Sequence, residues 1–265
     1  MKSPKQVDRS LAPPAVGVHL KYTLGLGVAK LQIMPNTRTK SVAELLGLPD
    51  PPKTGRERLV AAAVDLFYRN GFAAVGIDRV IEAAGVTKTT FYKHFEGKDD
   101  LMVAAVQRRD EWESQAWAKA IHKRAGDDPI KQLLAMFDVM DIWFNDPDFL
   151  GCMFLNTAIE FPNPHDPVHQ AAASYKRKVR DHWRDVAKAA GAQTTAAETF
   201  ADCYSALIEG ALILRQTHGR NDAARAIRPA VEQLINTYLR NNLGPPTTEK
   251  PPIRITRKLT RVDNS

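Results

Sequence analysis

Through the middle of this chain, apolar residues recur at helical spacing. Leu59, Val60, Ala63, Leu66 and Phe67 fall on a single stripe of an α-helix. Thr54 and Glu57 ahead of that stripe form a capping box, and Asn70-Gly71 supplies a stop. Val80, Ile81 and Ala84 predict a short second helix over 77–84. Gly85 suits the left-handed turn that ends a helix, because a residue without Cβ adopts positive φ at little cost. Val86 plugs the corner, Thr87 is a good N-cap, and Phe91 and Phe95 face inward one turn apart in the next helix. Leu101, Ala105 and Trp112 carry a long helix over 98–125, with Asp99 and Asp100 suiting its dipole. Further helices are expected near 129–145, 149–160, 166–190, 195–217 and 222–240, punctuated by Pro147, Pro162, Pro164, Gly191 and Gly219. No run reads as a strand, so the expected fold class is all-α.

The two ends differ from the middle. Residues 1–40 show no sustained period and hold Pro13, Pro14 and Pro35. Ser41 with Glu44 is placed to cap one short helix before Pro49, Pro51 and Pro52 break the chain. We expect a flexible arm over 1–52, with Met34 offering a second start, and a disordered Pro/Thr/Lys/Arg tail over 241–265. Gly25-Leu26-Gly27 lacks the third glycine and the βαβ unit of a dinucleotide fingerprint. The net charge of +7 resides in these ends: seven Lys/Arg against three Asp/Glu in 1–50, and five against two in 241–265. The middle is neutral, so overall basicity says little about nucleic acid. No apolar run approaches the ~18 residues of a membrane span, and Lys21 and Lys30 interrupt any leader-like stretch. Cys152 and Cys203 fit a reduced, cytoplasmic setting, with a single bridge left open.

Projection at about 100° per residue puts Thr89 and Lys93 opposite the Phe91/Phe95 pair, with Thr90 and Tyr92 on the flanks. Hydroxyls, a phenol and amines are groups that donate to phosphates and base edges. That is the layout of a helix-turn-helix whose second helix enters the major groove; an αα-corner in an ordinary helical protein is the plain alternative. The corner followed by Thr87-Lys-Thr-Thr-Phe-Tyr-Lys-His-Phe95, with Lys98 close behind, resembles the TetR family of bacterial repressors over residues 54–101 or so. Two departures are visible: Gly76 stands where Ser or Thr commonly caps, and Ile81 where Ala is usual. Thr87, Tyr92, His94 and Lys98 are the candidates for phosphate contacts, and Lys88, Thr89 and Lys93 for bases, with Thr90 beside them.

The resemblance implies a helix-turn-helix head over 53–97 and a helical ligand-binding and dimerisation domain over 98–240. It implies a homodimer on a near-palindromic operator, released when an inducer shifts the connecting helix, with no catalytic group, cofactor or metal. Gly151–Phe161 is mostly apolar yet carries Asn156, Thr157 and Glu160, and Tyr204 and Glu209 recur in 195–217. These residues suit an apolar chamber as well as a plain core; the resemblance favours the chamber. Its expected lining is Trp143, Phe144, Phe154, Thr157, Glu160, Phe161, Tyr175, Tyr204 and Glu209, for an apolar, aromatic ligand whose hydroxyl, amide or amine meets Glu160. The expected dimer helices are 195–217, with Ala197, Phe200, Ala201, Tyr204, Leu207, Ile208, Ala211, Leu212 and Leu214, and 222–240. Two other readings stay open: a helical metal enzyme using His165, His169 and Glu160, and a lipid- or drug-binding protein without DNA binding. Pro167 places His165 ahead of its helix, and Asp138 and Asp141 suit either a polar face or a divalent cation.

Overall fold

The computed structural model describes residues 50–240, so the Ser41 helix, most of the expected arm and the whole tail lie outside the described residues. Among the described residues nine α-helices follow one another: α1 Gly55–Asn70, α2 Ile77–Ala84, α3 Lys88–His94, α4 Lys98–Ala125, α5 Pro129–Phe144, α6 Met153–Glu160, α7 Pro167–Ala189, α8 Thr194–His218 and α9 Ala223–Ile235. A π-helical turn, Asn236–Arg240, closes the series, and there is no strand among the described residues. None of the described helices is long and apolar enough to cross a membrane.

The head is built by its caps and a small apolar core. Glu57 N–H donates to Thr54 Oγ1 at 3.2 Å, and Thr54 N–H returns to Glu57 Oε2 at 3.0 Å, completing the capping box. The backbone N–H groups of Lys53 and Thr54 hold the Glu57 carboxyl below its usual range. α2 ends on Gly85 at φ 61, ψ 41, where Val86 N–H reaches back to Ile81 O at 3.3 Å and Gly85 N–H to Glu82 O at 3.1 Å. Thr87 then caps α3 through the Thr90 N–H at 3.1 Å. Leu59, Ala63 and Phe67 of α1, Val80 of α2 and Phe91 of α3 fill the centre, with Phe72 and Val75 from the connecting loop. Phe95 differs from the expectation: α3 stops at His94, and Phe95 is extended at φ −139, ψ 133. Its ring still lies 5.7 Å from Phe91, so it enters the core from the link to α4.

α4 belongs to both halves, giving Leu101 and Ala105 to the head and Trp117, Ala120 and Ile121 to the body. In the body Tyr204 of α8 is the hub. Its buried ring meets Phe137, Trp183 and Phe200 at 5.6, 5.0 and 5.4 Å, and its hydroxyl donates to Leu133 O at 2.6 Å. Asp128 and Asp166 cap α5 and α7, each followed by Pro at the first helical position. Asp138 and Asp141 bond to Arg228 and Arg225 of α9, so this carboxylate pair fastens α5 to α9. α6 begins at Met153 rather than near 149: Gly151 turns the chain at φ 90, and the Tyr68 hydroxyl bonds Gly151 O and the Leu150 N–H.

Gly85 has open space where a Cβ would sit, so its requirement is conformational alone. Gly85→Ala should lower stability by about 1 kcal/mol, the cost of a left-handed L-residue. Urea unfolding measures this, and an unchanged midpoint would show that the corner tolerates a side chain.

Candidate nucleic-acid interface and ligand chamber

The outward face of α3 contains the expected residues in unequal states. Thr87, Lys88, Thr89, Tyr92 and Lys93 are exposed, and Thr90, His94 and Lys98 are half-buried. Tyr92 is 55% exposed although its ring meets the buried Phe91 edge-on at 5.1 Å. Lys88 Nζ pairs with Asp78 Oδ1 at 3.2 Å in open solvent, a contact weak enough for a stronger anion to displace. Thr90 is engaged within the head. Its hydroxyl is 2.9 Å from Thr87 Oγ1, and a Cβ on Gly55 would come within 3.0 Å of its methyl. It therefore joins α3 to the start of α1. Arg56, which the sequence did not single out, is exposed, and its guanidinium lies over the Phe95 ring at 5.2 Å.

Behind this face the head is fastened to the body at three places. Midway along α4, Arg109 bonds Glu113 at 2.6 Å; the two side chains are 17% and 5% exposed. The Arg109 guanidinium lies 5.0 Å from the Tyr68 ring and 4.7 Å from the Trp112 ring, and Trp117 Nε1–H reaches the other Glu113 oxygen at 3.3 Å. Burial alone pulls the Arg109 proton affinity down, but Glu113 outweighs it and the group stays charged. Second, the Tyr68 hydroxyl donates to Gly151 O at 3.0 Å just before α6. Third, Glu160 at the end of α6 accepts Phe72 N–H at 3.1 Å and Ala73 N–H at 2.6 Å. Gly71, at φ 79 and ψ 162, turns the chain so that these successive N–H groups converge on one carboxylate.

Glu160 thus corrects the sequence expectation: it is exposed, and both oxygens are committed to the head's backbone rather than offered to a ligand. Phe161 joins the same contact, edge-on to Phe72 at 5.5 Å. Thr157 is buried but donates to Met153 O at 2.7 Å within its own helix. Tyr204 and Phe144 are core, and Tyr175 stacks on Phe154 at 3.6 Å. Trp143 borders a cleft of about 910 Å³ between α1, α4 and the segment before α6, whose lining mixes Tyr68, Trp112 and Phe149 with charges of both signs. Phe154 and Glu209 alone of the nine reach a smaller pocket, of about 320 Å³, between α6, α7 and α8. Lys176, Ser205 and Ile208 share that pocket and were not anticipated. His165 precedes α7 and the His169 ring bonds Phe161 O at 2.7 Å; no group of three metal-ligating side chains occurs among the described residues.

One surface of the body is apolar and uncovered in a single copy. On α8, Cys203, Ala206 and Ile213 are exposed and Leu207, Gly210 and Leu214 half-buried; on α9, Ala226, Pro229 and Ala230 are exposed and Leu234 half-buried. The bulky residues expected at a dimer contact, among them Phe200, Tyr204 and Ile208, face the core of the same chain instead.

Residues 59–105 match the family of bacterial regulatory proteins, tetR family, and residues 129–231 match the tetracyclin repressor-like C-terminal domain. The chain is 25% identical over 182 residues to the HTH-type transcriptional regulator LmrA of Bacillus subtilis, covering 68% of this chain and 96% of LmrA. Among solved structures it is similar to a TetR-family transcriptional regulator from Streptomyces coelicolor, with TM-score 0.62 and 28% identity over 69% of this chain and 95% of that one. A TetR transcriptional regulator from Chloroflexus aurantiacus gives TM-score 0.58 and 25% identity over 70% and 96%.

The buried ion pair on α4 carries its own expectation. Removing one partner strands a desolvated charge, so Arg109→Met should cost about 3 kcal/mol. Adding Glu113→Leu should recover part of that loss, although Trp117 then loses its acceptor. Chemical unfolding of both variants decides it; a double variant no more stable than the single would show that the pair is not what the site needs.

Proposed function

The chain belongs to the TetR family of bacterial regulatory proteins and is a transcriptional regulator rather than an enzyme, and we propose that it is a repressor that binds a near-palindromic operator as a homodimer. The observation that carries this reading is the outward face of α3, where Thr89, Tyr92 and Lys93 stand exposed above a fully buried Phe91. Lys93 and Thr89 are placed for base edges. Tyr92, Thr87, His94 and Lys98 are placed for the flanking phosphates, and Lys88 joins once it leaves Asp78. Thr90 acts by holding the helix in place. As a DNA-binding protein it works in the cytoplasm.

Homodimerisation is supported by the outward stripe on α8 and α9. Two copies related by a two-fold axis would bring Ala206, Gly210 and Ala230 into a four-helix contact, where small side chains let backbones approach. An apolar small molecule in the body would release DNA by favouring a dimer whose two heads no longer match the operator spacing.

The direct test is a salt-dependent binding titration of the full chain on DNA flanking its own gene, against a scrambled competitor. Selective binding that weakens steeply with salt is expected; equal affinity for both sequences would overturn the reading. Lys93→Ala should cost about 1–3 kcal/mol in operator binding while the thermal midpoint stays put. Ala206→Glu should yield a monomer in sedimentation at micromolar concentration and lose operator affinity with it; a dimer that persists would move the interface elsewhere.

A further inference from the structure

One residue beside the start of α3 has a charge that DNA would repel. α3 itself, Lys88 to His94, has neither a carboxylate nor a side-chain amide, so its side chains offer DNA mainly donors. Asp78, the second residue of α2, brings a carboxylate against it, with Oδ1 3.2 Å from Lys88 Nζ. The Asp78 and Lys88 side chains are 84% and 62% exposed, and neither has another partner among the described residues. A pair so exposed contributes little to folding, and a bare carboxylate there would weaken attraction to a polyanion.

The place of Lys88 narrows what the pair can meet. It is the first residue of α3, and the N-terminal residues of such a helix contact base edges in the major groove. Lys88 can reach a phosphate by leaving Asp78. Left together, the two groups match something more specific, since one donates and its neighbour accepts. The major-groove edge of a base pair also sets an acceptor beside a donor, about 2.9 Å apart because they bond each other. A G·C pair fits best. Lys88 meets both O6 and N7 of guanine, while Asp78 accepts from the N4 amino group of cytosine. On an A·T pair the ammonium finds one acceptor, O4, crowded by the thymine methyl. The carboxylate there reaches the adenine amino group only beside the N7 lone pair.

We propose that Asp78 is a specificity-determining residue that, with Lys88, reads one G·C pair in each operator half-site, guanine by Lys88 and cytosine by Asp78. This role rests on the operator-binding reading. Asp78 also withholds Lys88 from phosphates, so DNA without that base pair gains little from the lysine.

The probe is a library of random-sequence duplexes, bound by the full-length protein and sequenced from the bound fraction. The wild type should select an inverted repeat holding one symmetric G·C pair, favoured about tenfold or more over A·T or C·G there. Lys88→Ala and Asp78→Ala should each flatten the preference at that same position and leave the others intact. Asp78→Ala should also bind a scrambled duplex severalfold tighter, with a salt slope steeper by about one, because Lys88 is freed for a phosphate. Asp78→Asn should share that gain yet keep part of the cytosine preference, since its amide oxygen still accepts. If Asp78→Ala bound every sequence tighter by one factor, with all preferences intact, the carboxylate would be a charge screen and the proposal would fall. Variants that flatten different positions would overturn the pairing. Both results leave operator binding standing, whereas a wild type that selects no sequence would overturn that reading and this role together.

Discussion

Midway along α4 the apolar core of the head gives way to that of the body, and a buried ion pair marks the crossing. Arg109 and Glu113 are four residues apart on one helix, so helical geometry alone brings them together. Solvent does not compensate them; the rings of Tyr68 and Trp112 and the Trp117 N–H do. Tyr68 reaches this pair from α1 and also bonds the backbone ahead of α6. Three elements therefore share one residue, and the orientation of the head depends on their staying in register. A charge placed there is costly unless every partner is present, which penalises alternative packings more than an apolar contact would.

Function in the proposed repressor makes use of that registration. Two recognition helices must reach major grooves one DNA turn apart, so the angle between head and body sets whether both can bind at once. Backbone N–H groups held by Glu160 and a carbonyl held by Tyr68 are short, directional links, unlike a greasy contact that slides. Of the residues proposed to face DNA, Thr89 and Lys93, by contrast, have no side-chain partner among the described residues. The chain is firm where it must hold an angle and open where it must accept DNA.

Much of this was legible in the sequence because it is local. The capping box at Thr54, the corner at Gly85 and the Thr87 cap are each decided within a few residues, and the structure has all three. The all-α class followed from the same periodicity. What escaped were pairings across long stretches of chain. Glu160, a carboxylate in an apolar run, reads from sequence as a ligand contact, and nothing near it in sequence points to the backbone at 72 and 73. α6 opens late because Gly151 turns the chain at φ 90, a turn held by Tyr68 from more than eighty residues earlier. On α8 both faces are apolar, so periodicity could not say which one packs inward; Phe200, Tyr204, Ile208 and Leu212 went to the core with Ala197, Ala201 and Ala211, and Cys203, Ala206 and Ile213 lie outward. Lys176 and Ser205 carried no signal at all until the fold set them beside Glu209.

The central claim is that two copies of this head read one symmetric DNA site. Footprinting of the full-length protein on DNA upstream of its own gene tests it most directly. The account predicts protection of two inverted half-sites, centred about one helical turn apart and filled together as protein is added. Protection of a single asymmetric stretch, or none at concentrations where the protein is dimeric, would contradict it.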